Sequence, residues 1–262
     1  MYFIIILFIS IASCILSLEP AFALSINIDP PSVKLTVKAE QSKSGSITVK
    51  NSGSSGIKIK AYTEDWVYAK DGSKIFMKPG SSVYSCSNWI KLDPATFELS
   101  PKEEKTVNYV LTVPKTASGG HVSVIFFECP VENKEGISVS GRIGTIVYQD
   151  TEGDIKRNGE IKEFAVLASE EGKPVDIKLI LLNKGNTYLF ANANVKILRD
   201  DKTVAGSKMK PLSMLPDDSA TASVTIADPL KEGRYKAVVE VSYDGKTLKS
   251  ESDFSIKKSS QK

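Results

Sequence analysis

Histidine is nearly missing from this 262-residue chain, which has only His121. With no second histidine and no His/Cys cluster, a zinc site has no ligand set to draw on. Beside Gly119-Gly120 the residue reads as a polar group at a strand start. A Ser-His-Asp triad built on it would lack the strand-turn-helix elbow of the G-x-S-x-G kind, which accompanies no serine here. The carboxylate pairs Glu103-Glu104, Glu170-Glu171 and Asp217-Asp218 all fall in polar turns next to Pro or Gly, whereas a glycosidase pair comes from two strands facing across a cleft. Asp71-Gly72 and Asp244-Gly245 lack the alternating oxygen ligands of a calcium loop and read as hairpin turns. The expectation is a non-enzymatic protein without metal, cofactor or catalytic residues.

Charge of one sign is also lacking. Lys and Arg total 34 against 31 Asp and Glu, and no polybasic block stands out that would neutralise nucleic-acid phosphates. Nucleic acid is therefore not an expected partner.

Helical periodicity is absent after the first residues. Those residues, Tyr2 to Leu18, are almost wholly apolar and lead through Glu19 and Pro20 to Ala21-Phe22-Ala23, a small-x-small pattern that signal peptidase accepts. Residues 1–23 are thus expected to be a signal peptide, although no Lys or Arg precedes the apolar run. A retained anchor is the first alternative, since the run is just long enough to span roughly 30 Å of hydrocarbon. Lipid attachment at Cys14, within Ile11-Ala12-Ser13-Cys14, is the second. Membrane contact is expected only through this leader, if it stays uncleaved, and the chain is expected to be exported, to a periplasm or cell surface.

Cysteine is scarce, with three in all and only Cys86 and Cys129 beyond the leader. In an oxidising compartment an even pair points to one structural bridge. Two buried free thiols are the alternative, and a reactive thiol would need a basic neighbour that Ser85 and Glu128 do not supply.

What is present is period-two hydrophobicity. Val33, Leu35 and Val37 alternate with polar residues, as do Val107, Tyr109, Leu111 and Val113, and in the second half Val175, Ile177, Leu179 and Leu181. Such short runs, bounded by Gly, Pro, Asn or Ser, are half-buried strands. Regularly spaced, they predict an all-β chain of two consecutive immunoglobulin-like sandwiches.

The two halves match in spacing. Pro101 to Pro114 and Pro216 to Pro229 both span 13 residues, and Asn51-Ser52-Gly53 closes an early strand as Asn183-Lys184-Gly185 does later. Expected domains are 24–150 and 151–257, with a crossover rich in Asp, Glu, Lys and Gly from Gln149 to Gly159 and a polar tail at 258–262. The first half is longer between its Asn and Pro, by 50 residues against 33. The surplus at 66–90 predicts an added edge hairpin that brings Cys86 near the strand carrying Cys129. Trp66 and Trp89 are either buried sandwich aromatics or partner anchors. Tyr235 after Gly233 reads as a tyrosine whose hydroxyl ties back to a turn.

The opening Ile28-Asp29-Pro30-Pro31-Ser32-Val33 and the late strand Gly141-Arg142-Ile143-Gly144-Thr145-Ile146-Val147-Tyr148 resemble periplasmic pilus-assembly chaperones of the PapD-like group. The segment Asn88-Trp89-Ile90 to Pro94, Phe97, Leu99 and Pro101 is similar to uncharacterised bacterial surface proteins with a chaperone-like first domain. The resemblance implies strand addition, in which the last strand of the first domain offers alternating apolar side chains to another exported protein, a pilus or surface subunit. Here Ile137, Val139, Ile143 and Val147 alternate on one face, and filling their own core is the competing reading. The resemblance also implies two basic residues holding a terminal carboxylate. Arg142 fits one position, while Ser32 stands where an arginine is expected and Lys34 is the nearest base, a weaker substitute without a bidentate fork. A cell-surface adhesion or spacer protein is the alternative function.

Overall fold

The computed structural model describes residues 26–132, 138–167 and 170–258, so the leader with Cys14, Ile137 and the end of the tail lie outside the described residues. The first unit comprises β1 (Ile26–Asp29), β2 (Ser32–Val37), β3 (Ser42–Asn51), β4 (Ile57–Tyr68), β5 (Lys74–Met77), β6 (Ile90–Asp93), β7 (Thr96–Leu99), β8 (Glu104–Thr112), β9 (Gly120–Glu132) and β10 (Ser138–Thr151). The second comprises β11 (Gly159–Leu167), β12 (Val175–Asn183), β13 (Leu189–Arg199), β14 (Lys202–Lys208), β15 (Leu212–Met214), β16 (Ser219–Ile226), β17 (Gly233–Tyr243) and β18 (Lys246–Ile256). Among the described residues the only helical element is a 3-10 turn at Ser87–Trp89.

Alternation decides the layers. In β8, Val107, Tyr109 and Leu111 turn inward while the residues between them face water. In β12 every odd residue from Val175 to Asn183 is buried. The first unit stacks a sheet of order β1-β3-β8-β6 on one of order β2-β10-β9-β4-β5, with β7 added to the start of β4. The second stacks β11-β12-β16 on β14-β13-β17-β18, with β15 on the start of β13. Every ladder joins strands of the same unit, and each unit has its own apolar core. These are the two face-to-face sandwiches that period-two patterning requires.

The repeat seen in the sequence is a repeated buried device. Asn51 Nδ2 donates to the carbonyls of Ser55 (2.8 Å) and Ser100 (3.0 Å), and its Oδ1 accepts from the Gly53 amide (2.9 Å). Asn183 Nδ2 donates to the Thr187 carbonyl (2.8 Å), and its Oδ1 accepts from the Gly185 amide (2.9 Å). The turns opposite match too. The Ser100 amide donates to Glu103 and the Leu215 amide to Asp218, one member of each acidic pair thereby capping its own turn. Both asparagines are fully enclosed, where an unpaired amide would be costly. Tyr235 Oη donates to the Lys231 carbonyl at 2.8 Å, the tie-back expected of it.

The added hairpin is β4–β5, turning at Asp71-Gly72, where Gly72 has φ +81° and Asp71 Oδ1 accepts from the Ser73 amide. Trp66 is buried, with its indole N–H donating to the Ser123 carbonyl, and Trp89 is half-buried against the first core. The expected bridge is corrected, because Cys86 and Cys129 are both free, buried thiols. Cys86 does reach β9, but its amide bonds the Val122 carbonyl, seven residues upstream of Cys129. At about 3.3 Å per residue that is roughly 23 Å along the strand, against a Cα separation of about 6 Å in a disulfide. Burial pushes the Cys86 thiol pKa up, so it is held protonated and inert.

β10 runs into the expected crossover, which begins at Gln149, as far as Thr151, and its end welds the units together. Asp150 accepts from Thr187 Oγ1 (2.6 Å) and Tyr188 Oη (3.1 Å) and pairs with Arg157. The Gly120 amide donates to the Asn186 carbonyl at 2.8 Å, and a side chain at 120 would collide with Thr187. A third apolar cluster fills this joint, with Trp66, Val124, Phe126 and Tyr148 meeting Tyr188 and Leu215.

Candidate functional site

The site begins with a change of sheet near the N-terminus. β1 is hydrogen-bonded to β3 in one layer, and β2 lies parallel to β10 in the other. Pro30 and Pro31 make the crossing, where missing N–H groups leave no ladder donors behind. The Pro31 carbonyl accepts from the Ile146 amide (3.0 Å) and the Pro30 carbonyl from Thr145 Oγ1 (2.8 Å). Because the switch happens there, β2 covers β10 only from Ile146 to Thr151.

On its other side β10 pairs with β9 from Ser138 to Asp150. Residues 138–145 are therefore paired along one edge and, among the described residues, open along the other. Parity then assigns each backbone group. The Ile146 amide faces β2, and successive residues of a strand bond to opposite sides, so Ser138, Ser140, Arg142 and Gly144 direct their N–H and C=O groups outward. Gly141, Ile143 and Thr145 bond to β9.

Side-chain direction alternates independently, toward the core or away from it. Ile143 is half-buried against the first core. Val147 is fully enclosed and sits opposite Val33 of β2. Val147 thus fills its own domain and has no surface to offer, which corrects its assignment as a partner contact. The side chain of Val139 lies outside the described residues. The opposite face of β10 carries Arg142, Gly144, Ile146 and Tyr148. A Cβ at Gly144 would stand 2.6 Å from Val124 and 2.9 Å from Phe126, so those two side chains lean across the glycine and close the surface there.

Arg142 is held by four neighbours. Its Nη1 donates to Glu64 Oε1 at 2.8 Å and to Tyr62 Oη at 3.2 Å, both on β4. Its guanidinium lies 4.0 Å from the ring centre of Phe126 and 5.4 Å from that of Phe76. Desolvation lowers its pKa, but the hydrogen bonds with Tyr62 and Glu64 outweigh it and the net direction is upward. Opposite Arg142 on β9 stands Glu128, hydrogen-bonded by the Ser140 hydroxyl, which holds its carboxyl below the usual range.

Lys34 does not join this group. It is opposite Tyr148, six residues along β10 from Arg142, or roughly 20 Å, and its ammonium lies 4.7 Å from the ring centre of Phe190. The structure brings Arg142 and Ile143 to the open edge and leaves Lys34 at the joint between the units. The reading of residues alone missed Glu64, Tyr62 and Phe76, because only the pairing of β4 with β9, and of β5 with β4, brings them within reach of Arg142.

No protein-family model matches the sequence, and no curated protein matches it. The fold is similar to solved structures. The class 5 fimbriae chaperone CfaA is 15% identical, with a TM-score of 0.50 over 86% of this chain and 98% of that one. A chain of a chaperone–tip adhesin complex of CFA/I fimbriae biogenesis is 14% identical, with a TM-score of 0.48 over 88% and 98%. The YadV chaperone is 12% identical, with a TM-score of 0.46 over 88% and 100%. At such identity the likeness is one of architecture: the chain has the two-sandwich fold of PapD-like chaperones.

Proposed function

We propose that this protein is an exported, chaperone-like binding protein, with domains spanning 24–150 and 151–257. It takes an extended segment of another exported protein, a pilus or surface subunit, onto the open edge of β10. The observation that carries this reading is the half-paired strand. Over residues 138–145 one edge is bonded to β9, while on the other edge the backbone groups of four residues have no strand partner among the described residues. An exposed edge of this length is a liability that proteins ordinarily cover, and strand addition is the mode of recognition that uses it. The architecture shared with the fimbriae chaperone CfaA supports a fimbrial or surface subunit as the client.

The test is amide hydrogen exchange on the full chain, alone and with the exported proteins that co-purify from its native host. The amides of Ser140, Arg142 and Gly144 exchange freely in the unbound chain and become protected on capture. Protection confined to the β4–β5 hairpin, where Ile75 is 49% and Phe76 37% exposed, would instead favour the adhesion or spacer reading.

A further inference from the structure

We infer that this chain pairs with a second copy of itself through β5, the outermost strand of its sheet. The inference stands apart from client capture, because β9 and β4 separate β5 from β10 in the sheet order. Backbone parity is the first observation. The Ala69 amide donates to the Ser73 carbonyl at 2.8 Å, and the register of β4 with β5 continues from that pair. Alternation then sends the N–H and C=O groups of Ile75 and Met77 to β4 and those of Lys74 and Phe76 outward. Among the described residues no strand or loop takes up these outward groups. The edge is also unguarded. Proteins commonly blunt such an edge with lysine, but the Lys74 ammonium is drawn back over its own sheet, 5.2 Å from the ring centre of Trp66 and 5.4 Å from that of Tyr68. Beside it Ile75 and Phe76 stay exposed, although the Phe76 ring packs on Phe126.

Charge and symmetry choose the occupant and its register. Two identical strands pair antiparallel about a two-fold axis, and outward groups meet only if an even-numbered residue faces an even-numbered one. With Ile75 on the axis, Lys74 of one copy faces Phe76 of the other, which closes the outward groups of both strands in backbone hydrogen bonds and lays Ile75 on its counterpart. Lys78, which forms no ion pair among the described residues, then faces Gly72 of the second copy and lies next to its Asp71. The neighbouring registers fail on charge. Placing Lys74 on the axis sets it against Lys74 of the second copy, and placing Phe76 there sets Lys74 against Lys78; like charges directly opposite are destabilising. A contact of one short strand from each copy falls below the roughly 1,200 Å² of a standard interface, so the pairing is weak and depends on concentration.

The experiment follows the full chain, without any client, by sedimentation velocity and amide exchange at about 10 μM and about 1 mM, a span that brackets a weak dimer. Expected is a mean mass that rises toward the dimer at the higher concentration. The amides of Lys74 and Phe76 gain protection with it, while that of Ile75, bonded to β4, is protected throughout. Ile75→Lys sets two ammoniums opposite each other, and Lys78→Glu sets a carboxylate beside Asp71. Each is expected to raise the dissociation constant at least about tenfold, whereas Val204→Lys, an exposed change on β14, leaves it unaltered. A chain that stays monomeric at the higher concentration would overturn the inference. So would a dimer whose protection falls on Ser140, Arg142 and Gly144, or one that both folded variants leave intact. Should Ile75→Lys not fold, Lys78→Glu, an exposed change just outside the strand, decides alone.

Discussion

Replacing Ser140 with proline removes one outward N–H from the open edge of β10 and leaves the ladder to β9 whole, because that ladder uses the odd-numbered residues. If a client strand pairs there, its carbonyl opposite position 140 loses its donor and is left buried without one. An unsatisfied carbonyl costs about 1–3 kcal/mol, equivalent to about 5- to 150-fold in dissociation constant. In the unbound chain the change removes only the exposed contact between Ser140 and Glu128, worth less than about 1 kcal/mol. The melting temperature should therefore move by no more than about 5 °C. Gly141→Pro is the control, since its N–H points at β9; removing it breaks the ladder within the domain and lowers the melting temperature by more than Ser140→Pro does. Thermal melts of both variants are compared with recovery of co-purified clients and titration calorimetry. Full client affinity in a folded Ser140→Pro chain would refute the geometry, as would Gly141→Pro proving the milder change.

Further outcomes follow from the interior. Thiol titration without reductant should leave Cys86 and Cys129 unreactive in the native chain and both reactive once it is unfolded; a mass lowered by two hydrogens would show a bridge instead. Asn51→Ala should destabilise the first domain by about 1–3 kcal/mol, because the buried Leu99 carbonyl and the part-buried Ser55 and Ser100 carbonyls lose their donor, and Asn183→Ala should act likewise on the second; a denaturant midpoint shared with wild type would contradict both. His121 is buried against Trp89 with Nδ1 3.1 Å from Gln149, and desolvation outweighs that hydrogen bond in lowering its pKa from 6.5. As pH falls below about 6.5 the unfolded chain takes up this proton first, so stability should decline from there to the lower folded pKa. Denaturant titrations across that window should show the slope in wild type and lose it in His121→Gln.

How much of this was legible beforehand depended on whether a feature is local or needs register. Alternation in β8 and β12 is local, so the sheets and even the equivalence of Asn51 with Asn183 could be read from spacing. The cysteines show where such reading stops. Sequence brings Cys86 to the strand that carries Cys129, but only the pairing of Ser85 with Val122 tells which end of that strand it meets. Val147 has the same history: alternation gives its face correctly, while its burial depends on β2 lying alongside. Arg142 could be singled out by position, yet its role depends on Glu64, Tyr62, Phe76 and Phe126 from three other strands, and no spacing rule links them. The weld at Asp150, Arg157 and Tyr188 was missed for the same reason, since its members face each other only once both sandwiches exist.

The crossing at Pro30 and Pro31 also acts as a ruler. A guest strand laid along β10 would lie end to end with β2 and meet two rings that donate nothing, so it cannot slide farther toward Tyr148. That stop fixes the guest's phase: which of its side chains alternate toward the sandwich interior and which toward the Arg142 face. Moving the proline pair by a single residue would invert that choice and turn a matched guest inside out.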